Sequence, residues 1–207
     1  VSALSDALAT ARAENRAALI GYLPVGYPAV DVSIDAMLAM LDGGADVVEV
    51  GVPYSDPVMD GPTIQAAAEP AVRAGVCIVD ALRAVQAVSQ AGAAAVVMSY
   101  WNPIDRFGVE RFAAELAAAG GSGAITPDLI PDEAGAWLEA TDEHGLDRIF
   151  LVAPSSTDAR ITATAVASRG FVYAASTMGV TGARSAVGGA AETLVKRVRA
   201  LAPGSAV

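Results

Sequence analysis

The segment Ala18-Leu19-Ile20-Gly21-Tyr22-Leu23-Pro24-Val25-Gly26-Tyr27-Pro28 decides how the chain folds. It reads as a short apolar strand that ends in a turn rich in proline and glycine. Five further runs have this character: Asp46–Pro53, Ala94–Tyr100, Gly123–Asp128, Arg148–Pro154 and Phe171–Ser176. Most are almost continuously apolar, the pattern of parallel strands covered on both faces. Between them lie alanine-rich stretches with helical spacing, at Val32–Asp42, Thr63–Ala74, Val79–Gln90, Val109–Ala119, Asp132–His144 and Thr157–Ser168, and a last one follows at Ala190–Leu201. Glycines stand where these helices should stop, at Gly43-Gly44, Gly75, Gly120-Gly121 and Gly145. Asp132 and Thr157 occupy N-cap positions after proline-containing turns. Strand and helix in alternation predict βαβ units and a parallel sheet. An open dinucleotide-binding sheet would run its first strand into G-x-G-x-x-G. Leu23 to Pro28 does not fit that pattern, so closure into a (β/α) barrel is expected.

Composition narrows the function. With 207 residues, 54% of them hydrophobic and 17% charged, the chain suits one globular α/β domain over 1–207. No apolar run approaches the ~20 residues of a membrane span; Ala91–Trp101 is broken by Gly92 and Ser99 and reads as a buried strand. The N-terminal residues show no signal-peptide pattern, although the chain starts at Val1 rather than Met, which leaves a leader open. A cytoplasmic location is the expectation. A net charge of −10 argues against nucleic acid as a partner, because such a surface repels phosphate backbones. It leaves room for one small phosphate ester held by backbone N–H groups. The single cysteine, Cys77, and the single histidine, His144, leave Cys-rich zinc sites and Ser-His or Cys-His triads without their parts. No metal is expected.

In a barrel the working residues lie at the C-terminal ends of the strands and in the loops that follow. The second strand reads Val47-Val48-Glu49-Val50-Gly51-Val52-Pro53. A glutamate among valines is costly to bury as an anion unless it is paired or its pKa rises. A carboxyl tuned upward can give and take protons near neutral pH; a structural acid satisfied by neighbouring hydroxyls is the other reading. The strand runs directly into Tyr54-Ser55-Asp56-Pro57-Val58-Met59-Asp60-Gly61-Pro62-Thr63, which sets two more carboxylates at the mouth. Separated acids in unlike environments suit a division of acid–base labour, while Asp-Pro and Asp-Gly also form ordinary turns.

The string from Val48 to Pro62 closely resembles the signature of tryptophan synthase α subunits. Further matches follow in order: Gly21–Pro28, Met98-Ser99-Tyr100-Trp101-Asn102-Pro103, Pro127–Glu133, Ala153–Thr157 and Tyr173–Gly182. The resemblance implies the (β/α)8 (TIM) barrel family and a retro-aldol cleavage of indole-3-glycerol phosphate to indole and glyceraldehyde 3-phosphate. It implies Glu49 as the general acid–base group and Asp60 as the acceptor of the indole N–H. Tyr22, Met98, Tyr100 and Tyr173 match positions lining the substrate pocket, with core packing as their alternative reading. Thr181 and Gly182 match a loop that closes over the substrate phosphate. Asp56 and Asp128 match contacts to a β subunit, expected in an α2β2 heterotetramer; a turn former and a strand-end cap are their plain readings. No cofactor is implied for this chain, whereas pyridoxal phosphate is implied for the β subunit.

The chain departs from the family by presenting about six β/α units where eight are expected, so the barrel should be incomplete at its C-terminal side. The sixth strand is then expected to be an unpaired edge, and a phosphate site built from later loops would be missing. A disordered remainder, a truncation and completion by another polypeptide all stay open. A non-catalytic chain that binds and activates a β subunit is therefore the alternative function. A related indole-glycerol-phosphate synthase would need a strand-end lysine, and the only lysine, Lys196, falls on the last helix.

Overall fold

The computed structural model describes residues 2–175 and 189–207. The strands are β1 Ile20–Pro24, β2 Val47–Gly51, β3 Ala94–Met98, β4 Gly123–Ile125, β5 Asp147–Ile149, β6 Leu151–Val152 and β7 Tyr173–Ala174. The helices are α1 Ala3–Ala13, α2 Val30–Asp42, α3 Pro62–Arg73, α4 Ile78–Gln90, α5 Trp101–Phe107, α6 Val109–Ala118, α7 Gly135–Glu143, α8 Asp158–Ala167 and α9 Gly189–Leu201. The first five strands form one parallel sheet in sequential order, and β6 pairs in parallel with β7. This is a partial (β/α) barrel.

Alternation along each strand separates two cores. Val47, Ala94, Val96, Ile125, Ile149 and Phe171 meet in the barrel interior. The intervening residues Val48, Val50, Ala95, Val97, Ala124 and Phe150 face the helices, where they meet Leu82, Val85 and Val88 of α4, Phe112 and Leu116 of α6, and Trp137 of α7. Helices α8 and α9 close over the far end of the sheet through Ile161, Leu194 and Val198. Gly123 lets β4 approach β5: a Cβ there would lie 2.0 Å from the Asp147 carbonyl oxygen.

The structure corrects several expectations. The run Arg148–Pro154 is two short strands, not one. Its first part pairs with β4 and its second with β7, with Phe150 between them accepting the Tyr173 N–H at 3.0 Å. The inward alternation of Ile149 and Leu151 is unbroken, so the split reflects the stagger of neighbouring strands around a barrel. Asp132 is not an N-cap: a 3-10 turn spans Pro131–Glu133, α7 starts later at Gly135, and Asp132 instead pairs with Arg160. Thr157 does cap α8, accepting the Arg160 N–H at 3.2 Å. Just before β7, Phe171 bridges in parallel to Ala206 and the Val172 N–H donates to the Ala206 carbonyl at 2.9 Å, so the sixth run is not bare at its start. Between this run and β1 lies a cavity of about 870 Å³, lined among others by Leu8, Ile20, Tyr173, Val195 and Val207.

Two helices were not foreseen. Helix α1 covers the N-terminal end of the barrel: Leu4 is fully buried with the interior strand residues. Its N–H donates to Ser122 Oγ at 3.2 Å, and the Ser2 hydroxyl, itself the N-cap, donates to the Asp147 carboxylate. Helix α5 starts directly after β3 and carries Pro103 in its first turn, where the missing N–H costs nothing. No helix among the described residues is long and apolar enough to cross a membrane.

Candidate active site

The site grows out of β2. Glu49 shares the inward side of that strand with Val47, stands in register between Tyr22 of β1 and Val96 of β3, and is 7% exposed. Burial alone pushes its carboxyl up to about 7. No cation or hydrogen-bond donor among the described residues offsets that burial, which is the desolvation case of a raised carboxyl. The reading of Glu49 as an acid satisfied by neighbouring hydroxyls finds no support among the described residues.

Tyrosines surround this carboxyl. Tyr22 sits over Gly51, where a Cβ would fall 2.5 Å from the tyrosine oxygen, so the glycine makes room for the ring. Burial raises the Tyr22 hydroxyl, with the Asp60 and then the Glu49 charges adding to it. Tyr173 of β7 is raised by burial and then by Glu49. Met98 ends β3 in register with Gly51 and packs against the interior cluster.

Asp60 reaches the same region from the loop after β2 and is treated differently. Its carboxylate accepts the Tyr100 hydroxyl at 2.7 Å, and the Met59 N–H donates to that same hydroxyl at 3.0 Å. Gln65 Nε2 binds the Asp60 carbonyl at 2.8 Å, tying the loop to the first turn of α3. Tyr100 is 4% exposed, and burial followed by its bond to Asp60 raises its hydroxyl. Among the described residues, one carboxyl is therefore buried with no donor shown to it and the other is held by a donor. That contrast is what proton transfer beside a fixed anion requires.

The remaining expected residues divide. Asp56 is exposed and accepts the hydroxyl of Ser55. Asp128 is exposed and caps α5, taking the Trp101 N–H at 2.8 Å. Thr181 and Gly182 lie outside the described residues. His144 ends α7 and sits 2.7 Å from a Glu110 oxygen. With Glu143 these two bring ligand atoms within 4.8 Å of one another on the surface, a group sequence reading did not identify. Cys77 is exposed at the N-cap of α4. Two residues of the site were given no role by the sequence: Tyr54, whose ring lies 5.4 Å from that of Tyr100, and Asn102, which donates to the Tyr54 hydroxyl at 2.9 Å. Both stand inside the quoted motifs, but a bond across 48 positions leaves no local pattern.

The fold and this site define a (β/α)-barrel protein with a buried glutamate and a tyrosine-bound aspartate at the C-terminal side of its strands. The family model described as tryptophan synthase alpha chain matches residues 8–205. The chain is 66% identical over 200 residues to a tryptophan synthase alpha chain of Mycobacterium marinum, covering 97% of this chain and 74% of that one. A solved tryptophan synthase structure of Mycobacterium tuberculosis superposes with a TM-score of 0.93 at 64% identity, covering 98% of this chain and 77% of the other. A structure from Aquifex aeolicus VF5 does so with a TM-score of 0.87 at 32% identity, covering 97% and 77%. The chain belongs to the tryptophan synthase alpha chain family.

Proposed function

We propose that this chain, acting as one barrel domain, cleaves indole-3-glycerol phosphate into indole and glyceraldehyde 3-phosphate. Protonated Glu49 gives its proton to C3 of the indole ring. The ring nitrogen becomes cationic, and Asp60 accepts its N–H and stabilises the charge. The Glu49 carboxylate then takes the proton of the hydroxyl on the adjoining carbon. As that carbonyl forms, the carbon–carbon bond breaks, its electrons return to the ring, and Glu49 is protonated again. No proton or electron is gained or lost overall. Tyr22, Met98, Tyr100 and Tyr173 would flank the indole, while Thr181 and Gly182 would serve the phosphate.

The observation that carries this reading is the interior position of Glu49, with its carboxyl raised to about 7 by burial beside Tyr22 and Tyr173. A group titrating there can act as acid and as base in one turnover at neutral pH. The partner in this proposal is a tryptophan synthase β subunit, which would receive the indole, carry the pyridoxal phosphate and contact Asp56 and Asp128. The test is indole release from indole-3-glycerol phosphate, with and without a β subunit. Release by the wild type and none by Glu49→Gln is the expected result. Equal release by both would overturn the role of Glu49.

A further inference from the structure

We infer that Tyr54 is a positioning residue for Asp60, acting through Tyr100 and anchored by Asn102; this rests on the role of Asp60 proposed above. The Tyr100 hydroxyl spends its donor on the Asp60 carboxylate and accepts from the Met59 N–H. The place of the Tyr100 ring therefore sets both the carboxylate and the backbone just before it. Tyr100 follows the end of β3 and is almost fully buried, so its ring has little room to move. Tyr54 lies against the ring, with centroids 5.4 Å apart and planes tilted by 36°.

Tyr54 stands at the root of the loop that carries Asp60 and would swing with it if nothing held its far end. Asn102 holds that end, donating from Nδ2 to the Tyr54 hydroxyl at 2.9 Å. Asn102 itself lies in the first turn of α5, whose leading N–H is bound by Asp128 at 2.8 Å. A capped helix end thus fixes Asn102, Asn102 fixes Tyr54, Tyr54 flanks Tyr100, and Tyr100 holds the carboxylate. Placement matters most when charge develops on the bound ring, because a misplaced carboxylate stabilises that charge less. The effect belongs in kcat more than in KM.

The test uses the full-length protein and steady-state indole release from indole-3-glycerol phosphate. Tyr54→Phe keeps the ring and loses one neutral hydrogen bond, so kcat should fall about fivefold with KM little changed. Asn102→Ala should match it, and the double variant should be no worse than either single one, since both remove the same bond. In an Asp60→Asn background, Tyr54→Phe should have no further effect. A general structural role would lower stability and act equally in both backgrounds. Wild-type kcat in Tyr54→Phe, or an equal loss in both backgrounds, would overturn the inference while leaving Asp60 in place. Wild-type turnover in Asp60→Asn would instead overturn the reading on which it rests.

Discussion

Strand β2 and the loop that follows it each carry a carboxyl to the mouth of the barrel, and they handle it in opposite ways. On the strand, Glu49 sits among valines with its burial unopposed by any described residue, and its carboxyl rises to about 7. In the loop, Asp60 is only partly buried and is met by the hydroxyl of Tyr100. The difference lies in backbone freedom. A parallel strand buried on both faces sends alternate side chains inward whatever their polarity, so a glutamate placed there is desolvated by the fold itself. A loop can turn its carboxylate towards a donor from another element. One scaffold thereby provides a desolvated carboxyl and a tyrosine-bound one fewer than a dozen positions apart.

Removing the desolvated carboxyl should have the largest effect. Glu49→Gln keeps the shape and loses the proton, so indole release should fall by about a thousandfold or more with the fold intact by circular dichroism. The same substitution should also change the pH dependence of stability. The Glu49 carboxyl is raised from an ordinary 4.5 to about 7 in the folded state. Its contribution is therefore fully present below about pH 4.5 and is lost as pH rises through 7. Relative to Glu49→Gln, the wild type should lose at most roughly 3 kcal/mol between pH 4.5 and 8, at about 1.4 kcal/mol for each pH unit separating 4.5 from 7. Urea unfolding of both proteins across that range reads this directly; parallel curves would mean that the carboxyl is not raised.

Asp60→Asn should slow cleavage by about a hundredfold, since a neutral amide still occupies the place but no longer opposes the ring charge. Tyr100→Phe should cost less, about tenfold in kcat, because Asp60 keeps its charge and loses one charge-assisted bond. If Tyr100→Phe proved as damaging as Asp60→Asn, the loop would owe its function to the tyrosine rather than to the carboxylate.

What could be read from sequence follows the same division between strand and loop. Strands β2 to β4 were legible because burial on both faces leaves continuous apolar runs, half-buried β1 because it runs into a turn rich in proline and glycine, and Glu49 because it interrupts one of those runs. Helix α1 was not, since among alanines only Leu4 and Ala11 are buried and its task, covering the floor of the barrel, appears only in three dimensions. The turn from β3 into α5 was hidden by Pro103, which reads as a breaker when its place in the first helical turn is unknown. The division of the fifth run at Phe150 could not be foreseen either, because pairing stagger changes partners without changing hydrophobicity. The bonds that hold Asp60 were equally hidden. They join Tyr100 to Asp60 across 40 positions and Asn102 to Tyr54 across 48, and no local pattern records them. For Asp128 the structure provides a helix cap, which explains the residue without a partner and leaves its contact with a β subunit as a proposal.

The most direct test of the account is a carbon-13 NMR titration of the glutamate carboxyls in the wild type and in Glu49→Gln. The account predicts one resonance with a midpoint near 7 in the wild type and its absence from the variant. Wild-type glutamates that all titrate below about pH 5, the ordinary range for exposed carboxyls, would contradict it and remove the proton reservoir from the mechanism.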